Sequence, residues 1–183
     1  MSKNSNTLNS DWRNITINQL SFTNNLILTL STGFLIYCLD KITPNKVVNN
    51  FHQLFLIISI ISLTISVLYG FSVMFSRLYD FRISRNIAFV RSRSKDLPYN
   101  VYANIDFKLR IKALCRILFC KLELIDKDNS TKIKNDSVLF EKFEDLRKLS
   151  KILSISTWIW IKYQALFLVI GFIFYILNVF FRI

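Results

Sequence analysis

Charge is absent from three long stretches of this chain, and that absence constrains the fold more than any other feature of the sequence. The longest stretch, Phe51 to Ser76, runs 26 residues without Asp, Glu, Lys or Arg. A helix of that length rises about 39 Å, more than the roughly 30 Å hydrocarbon core of a bilayer. Tyr163 to Phe181 adds 19 uncharged residues between Lys162 and Arg182. Trp158, Trp160 and Tyr163 gather at its entrance, where amphipathic rings favour a membrane–water interface. Leu20 to Leu39 is the weakest of the three. It carries Asn24 and Asn25 near its start, and its dense apolar part, Leu26 to Leu39, is only 14 residues long.

The first stretch reads as an uncleaved helix rather than a leader. The tail before it is long and has no compact basic cluster, and no small-x-small site follows it. Leu35, Ile36 and Tyr37 stand before Cys38, where lipidation would need small residues. Gly33, Gly70 and Gly171, all the glycines present, fall inside the three stretches, while Pro44 and Pro98 fall outside. Glycine allows close backbone approach between membrane helices. None is left for a phosphate-binding loop or a dinucleotide fingerprint.

The spacing predicts an all-α integral membrane protein with three transmembrane helices and a helical, basic cytoplasmic insert between the second and third. The expected order is an N-terminal tail (1–19), helix 1 (20–39), an external loop (40–50), helix 2 (51–76), the insert (77–151), and an interfacial entry with helix 3 (152–183). Between Arg77 and Lys151 there are 18 basic and 10 acidic residues. That bias places the insert and the N-terminus in the cytoplasm and the C-terminus outside. Within the insert, Arg77, Arg82, Arg85, Arg91, Arg93 and Lys95 crowd the start, against Asp80 alone.

Leu78, Phe81, Arg82 and Arg85 carry helical spacing out of the second stretch, and Pro98 is expected to end that helix. Phe107, Ile111, Leu114 and Leu118 recur every three or four residues, beside a row of Lys108, Lys112 and Arg116. This predicts an amphipathic basic helix of four to five turns, although Phe107, Leu109 and Ile111 also alternate as a strand would. Asp126 to Asp136 reads as a polar loop. Ser137 is expected to cap a last helix that carries Leu139, Phe143 and Leu146 on one face and runs on into the third stretch.

Catalytic and metal chemistry find little to work with. The single His52 is expected at the outer end of helix 2, so a cytoplasmic Ser-His or Cys-His pair has no base. Ribonuclease motifs with Arg closely followed by His are absent. Cys115 and Cys120 have no zinc spacing. Asp80 reads as an ion-pair partner of Arg77 and Arg82. Glu141, Glu144 and Asp145 read as a solvated face shared with Lys142, Arg147 and Lys148. No catalytic residue, cofactor or metal ligand is predicted.

The stretches themselves carry small and polar stripes. Ser59, Ser62, Ser66 and Gly70 share one face of helix 2, and Gln164, Gly171 and Asn178 share one face of helix 3. Thr29, Thr32 and Gly33 form a lesser stripe in helix 1. Such residues either pack helices together or line a pore between protomers. The basic residues Arg77, Arg82, Arg85, Arg91, Arg93, Lys108, Lys112 and Arg116 would meet anionic headgroups or a cytoplasmic protein partner. Nucleic acid is a minor expectation, because the insert has little base-stacking pattern.

Two segments, RLYDFRISRNIA (77–88) and TWIWIKYQALFLVIGFIFY (157–175), resemble small bacterial membrane proteins. The resemblance covers about a sixth of the chain and implies a bacterial inner membrane, with no activity attached. The first expectation for function is therefore a non-enzymatic, self-associating membrane module. It would couple a cytoplasmic signal or partner to membrane permeability, as an effector or accessory of a bacterial defence system. The alternative is a membrane-anchored immunity or scaffold subunit that binds one partner without forming a pore.

Overall fold

The computed structural model describes residues 2–41, 50–94, 106–119, 122–126, 133 and 136–181. Among them the chain is wholly helical, with α1 (Ser2–Asp40), α2 (Asn50–Arg93), α3 (Phe107–Leu118) and α4 (Ser137–Phe180), and no strand. α1, α2 and α4 are each long and apolar enough to cross a membrane. The expectations for Pro98, Lys95, Cys120, most of the 40–50 loop, most of the 126–136 loop and the His52 side chain fall outside the described residues.

Two compact units divide the chain. The first holds Met1–Phe71 and Ile161–Ile183, and the second holds Ser72–Trp160. In the first unit α1 meets α2 at Ser31–Ser66 and Cys38–Ser59, so residue numbers rise on one helix as they fall on the other. Ser59 meets Gly171, and Ser66 meets Gln164, in the same opposed sense. α1 and α4 run parallel, with Phe34 beside Phe172 and Tyr37 beside Tyr175. The three segments thus form an up-down-up bundle.

Two of the three glycines serve close approach in this bundle. A Cβ on Gly171 would lie 2.8 Å from Leu63 Cγ and 3.4 Å from the Ser59 carbonyl oxygen. One on Gly70 would lie 2.6 Å from Gln164 Nε2, the end of a flexible side chain. Gly33 has open space where a Cβ would be.

The second unit has a core of its own. Ile83 and Val90 from α2, Ala113 and Ile117 from α3, and Phe143, Leu146, Leu149, Ile152 and Leu153 from α4 are buried together with Ile125 and Ile133. Ile133 is fully buried although it sits in a run that reads as a polar loop. Residues 122–126 form a strap without helix or strand. Asn86 holds it with both ends of its amide: Nδ2 donates to the Ile125 carbonyl at 3.0 Å, and Oδ1 accepts from the Ile125 amide at 3.3 Å.

Three local expectations need correction. α3 has 12 residues, about three turns rather than four to five, and its buried residues are Ala113 and Ile117. Phe107, Ile111 and Leu118 point outward, at 62%, 47% and 49% exposure. The short Ala113 side chain lets that face come close, and Ile117 one turn later fills the contact. The helix start at Ser137 is capped by Asp136, whose Oδ1 accepts from the amides of Val138 and Leu139 at 2.9 and 3.4 Å. Arg147, expected on a solvated face, is only 5% exposed.

Gly171→Ala is expected to cost about 1–3 kcal/mol, because Leu63 must shift. Gly33→Ala should stay within about 0.5 kcal/mol of the parent. Denaturant titration of the full chain in detergent checks the contrast. Asn86→Ala leaves both Ile125 main-chain groups without their partner and should cost about 1–3 kcal/mol, read as faster hydrogen exchange at Ile125.

Candidate functional site: the hydroxyl seam and the basic unit

Inside the first unit the small polar residues form two matching tiers. In the upper tier the Ser66 hydroxyl donates to the Gln164 carbonyl at 2.8 Å. Its one proton is thereby used, so Ser31, 2.9 Å away, is the donor to Ser66. One heptad along each helix the pattern repeats. Ser59 donates to the Gly171 carbonyl at 2.7 Å, and Cys38 Sγ lies 4.0 Å from Ser59 Oγ. Each tier runs from α1 through an α2 hydroxyl to an α4 main-chain oxygen. A helical carbonyl already accepts one amide bond and has a second lone pair for this use.

The structure therefore brings Ser59, Ser66, Gly70, Gln164 and Gly171 together, with Ser62 buried among the α2 residues. Asn178, further along α4, is buried as well. Ser31 and Cys38 complete the tiers and carry no part in the sequence expectation. Their spacing of seven, equal to that of Ser59/Ser66 and Gln164/Gly171, is the signal that could have found them. Thr32 turns outward and donates to the Leu28 carbonyl of its own helix at 2.8 Å. The Gln164 side chain is fully buried, and neither end of its amide has a hydrogen-bond partner among the described residues.

The polarity of this unit is inverted relative to a water-soluble bundle. Asn24, Ser31, Ser59, Ser62, Ser66, Gln164 and Asn178 lie inside, while Phe22, Leu30, Ile57, Leu68, Val169 and Phe180 are half or more exposed. Water-soluble folds keep such polar groups outside and rarely leave so much contiguous apolar surface bare.

The second unit buries an apolar core, while Leu78 and Phe81 of α2 and Phe107 and Leu118 of α3 stay exposed. Of the basic residues singled out from sequence, Arg82, Arg85, Arg93, Lys108 and Lys112 are exposed, and Arg93 lies over the Phe89 ring at 4.5 Å. Arg116 is drawn to α4 by Asp145, Nη1 to Oδ2, at 2.6 Å. Arg77 is half-buried. Desolvation pulls its guanidinium below the ordinary arginine range, and Asp80 opposes that shift. Asp80 itself accepts from the Ser150 hydroxyl at 2.5 Å, and Ser150 lies 3.2 Å from Ser84. The Arg147 guanidinium packs over the Phe143 ring at 5.6 Å, and burial pulls it below the ordinary arginine range, with the like charge of Arg91 adding to that shift and Glu144 opposing it. Lys142 pairs with Glu123 at 2.9 Å, and that bond holds the Glu123 carboxyl below the usual carboxylate range. Cys115 is exposed and free. No group of three His, Cys, Asp or Glu side chains close enough to hold a metal occurs among the described residues.

Compared with known proteins, the chain matches no family model, no curated protein and no solved structure.

Ser66→Ala removes the middle of the upper tier and strands the Ser31 hydroxyl, at an expected cost of about 1–3 kcal/mol. Gln164→Met keeps the carbonyl that Ser66 uses and removes two unpaired buried atoms, so stability should hold or rise. Thermal unfolding of both variants in the same detergent checks the opposite signs.

Proposed function

We propose that the chain is a non-enzymatic, multi-pass protein of the bacterial inner membrane. Its first unit is a closed anchor, and its second unit is a basic cytoplasmic module that binds an anionic surface or partner. The inverted polarity of the first unit carries the membrane reading. Hydrocarbon is the solvent that favours apolar side chains outside and hydroxyls paired inside.

Closure of the anchor follows from where the hydroxyls go. Ser59 and Ser66 give their protons to α4 carbonyls of the same chain, so neither faces a space between protomers. That favours the membrane-anchored binding subunit over the permeability effector. One feature supports self-association as a second reading. Gly33 lies open in a groove of about 550 Å³ between α1 and α4, lined by Thr29, Phe34, Tyr37, Leu168 and Phe172 among others. A helix of another copy would fit there, and no hydrated path would follow from it.

The outward face of α3 suits a headgroup layer. Phe107, Ile111 and Leu118 lie beside Lys108 and Lys112 on the exposed side of the helix. Apolar residues entering the interface with lysines flanking them match an amphipathic helix lying on an anionic surface. The net charge of the whole chain, +12, has the sign such a surface attracts.

Cys115 is a built-in reporter of sidedness. In cells expressing the Cys120→Ser chain, an impermeant maleimide should label Cys115 only after lysis; labelling of intact cells would overturn the cytoplasmic placement. Proteoliposomes of the full chain should hold an ion gradient as well as empty vesicles do. A sustained leak that Ser66→Leu abolishes would overturn the closed anchor and restore the permeability reading.

A further inference from the structure

The groove between α1 and α4 has apolar walls and a polar, cationic end. It holds about 550 Å³, and its walls include Leu30 and Phe34 of α1 and Leu168, Val169 and Phe172 of α4. That volume lies within the roughly 300–1,000 Å³ usual for small-molecule sites. Gly33 leaves its wall open, since a Cβ there would have nothing within 4 Å. The α1 share of the lining ends at Tyr37. The Tyr37 hydroxyl accepts from the Tyr175 hydroxyl at 3.2 Å, and its own proton has no acceptor among the described residues. Lys41, one turn beyond, is exposed, with Nζ 5.3 Å from the centre of the Tyr37 ring. Among the described residues no carboxylate pairs with Lys41, its neighbour Asp40 included.

Shape separates the occupants such a groove could take. A two-fold pair of copies buries the same patch on both chains, so groove would face groove and the hollow would double instead of filling. A helix inserted from one side would leave the second copy's groove open. A lipid chain bends to fill a hollow, and the polar end of this one suits a headgroup. We propose, resting on the membrane reading above, that the groove is a site for one anionic glycerophospholipid of the surrounding bilayer. One acyl chain lies between α1 and α4 against Gly33, and the phosphate meets the Lys41 ammonium and the Tyr37 hydroxyl. A lysine at the end of a span carries its charge to the interface along an apolar stem, and tyrosine rings favour the same depth. Phosphatidylglycerol brings one negative charge for Lys41 to neutralise, whereas phosphatidylcholine carries its own cation. The bound chain then extends the packing between α1 and α4 that Phe34 and Phe172 begin, with ring centres 4.9 Å apart.

The test uses the full chain. Alkaline carbonate washing of membranes comes first. Release into the supernatant would refute the membrane reading and the lipid site with it; retention leaves that reading standing whatever the lipid result. Native mass spectrometry of the chain in neutral detergent, titrated with phosphatidylglycerol or phosphatidylcholine, then reads the site. One phosphatidylglycerol should bind per chain, saturably and about fivefold tighter than phosphatidylcholine, the worth of one lysine near an anionic surface. Lys41→Gln should erase that preference. Gly33→Leu puts a side chain into the open wall and should weaken both lipids about tenfold or more, since displacing as few as two methylenes costs that much. Should that variant fail to fold, Val169→Phe narrows the groove from α4 and provides the same readout. Absence of saturable phosphatidylglycerol binding, equal affinity of the parent for the two lipids, or binding that survives the groove-filling variants would overturn the site. So would a dimer that Gly33→Leu dissociates, because it gives the groove to a second copy.

Discussion

A hydroxyl on one helix bonding to the main-chain oxygen of another is the interaction on which the first unit depends. It demands a short distance between backbones, because serine is a short side chain. That distance in turn demands the absence of a side chain opposite, which Gly171 supplies against Leu63 and Ser59. The serine and the glycine are therefore one device. Ser59 reaches the carbonyl of Gly171 because the glycine lets α2 approach, and the same logic one heptad away brings Ser66 to Gln164 with Gly70 making room for the amide. Because α1 joins each tier through the α2 hydroxyl, a change at Ser59 or Ser66 acts on all three helices at once.

The second unit rests on a different balance. It closes around an apolar core, its charges are mostly outside, and its strap is held by a side-chain amide that mimics a strand partner for Ile125. The first unit thus pairs its hydroxyls inward, and the second closes around an apolar core while keeping residues such as Phe81 and Phe107 at its surface. The proposed hydrocarbon surroundings fit the apolar surface of the first unit, and the proposed cytoplasmic surroundings fit the exposed arginines and lysines of the second.

Much of this was legible in the sequence because it depends on patterns longer than a turn. Uncharged runs marked α1, α2 and α4, and the spacing of Ser59, Ser66, Gln164 and Gly171 marked the faces that meet. What the pattern did not reveal turned on partners distant in sequence. The rows Phe107/Ile111/Leu118 and Ala113/Ile117 are both helical stripes, and hydrophobicity alone favoured the larger residues. Packing chose the smaller Ala113, whose methyl permits close contact. Asp136 rather than Ser137 became the cap because a one-residue shift in where the helix begins is invisible to composition. Ile133 sat in a polar run, yet it fills the core from a segment with no periodicity to announce it.

Arg147 shows where reading charge as surface fails. In sequence it stands among Glu144, Asp145 and Lys148, and such a cluster is usually solvated. Helical geometry separates these neighbours: Asp145 turns toward Arg116, Lys148 is exposed, and Arg147 turns toward Phe143 and the core. Phe143 and Arg147 are four apart, so the ring that anchors the core and the guanidinium that burdens it share one face. A leucine at 147 would be the simpler filling for that face. Burial desolvates that guanidinium and pulls it below the ordinary arginine range, so the face that packs the core also carries a charge the core disfavours.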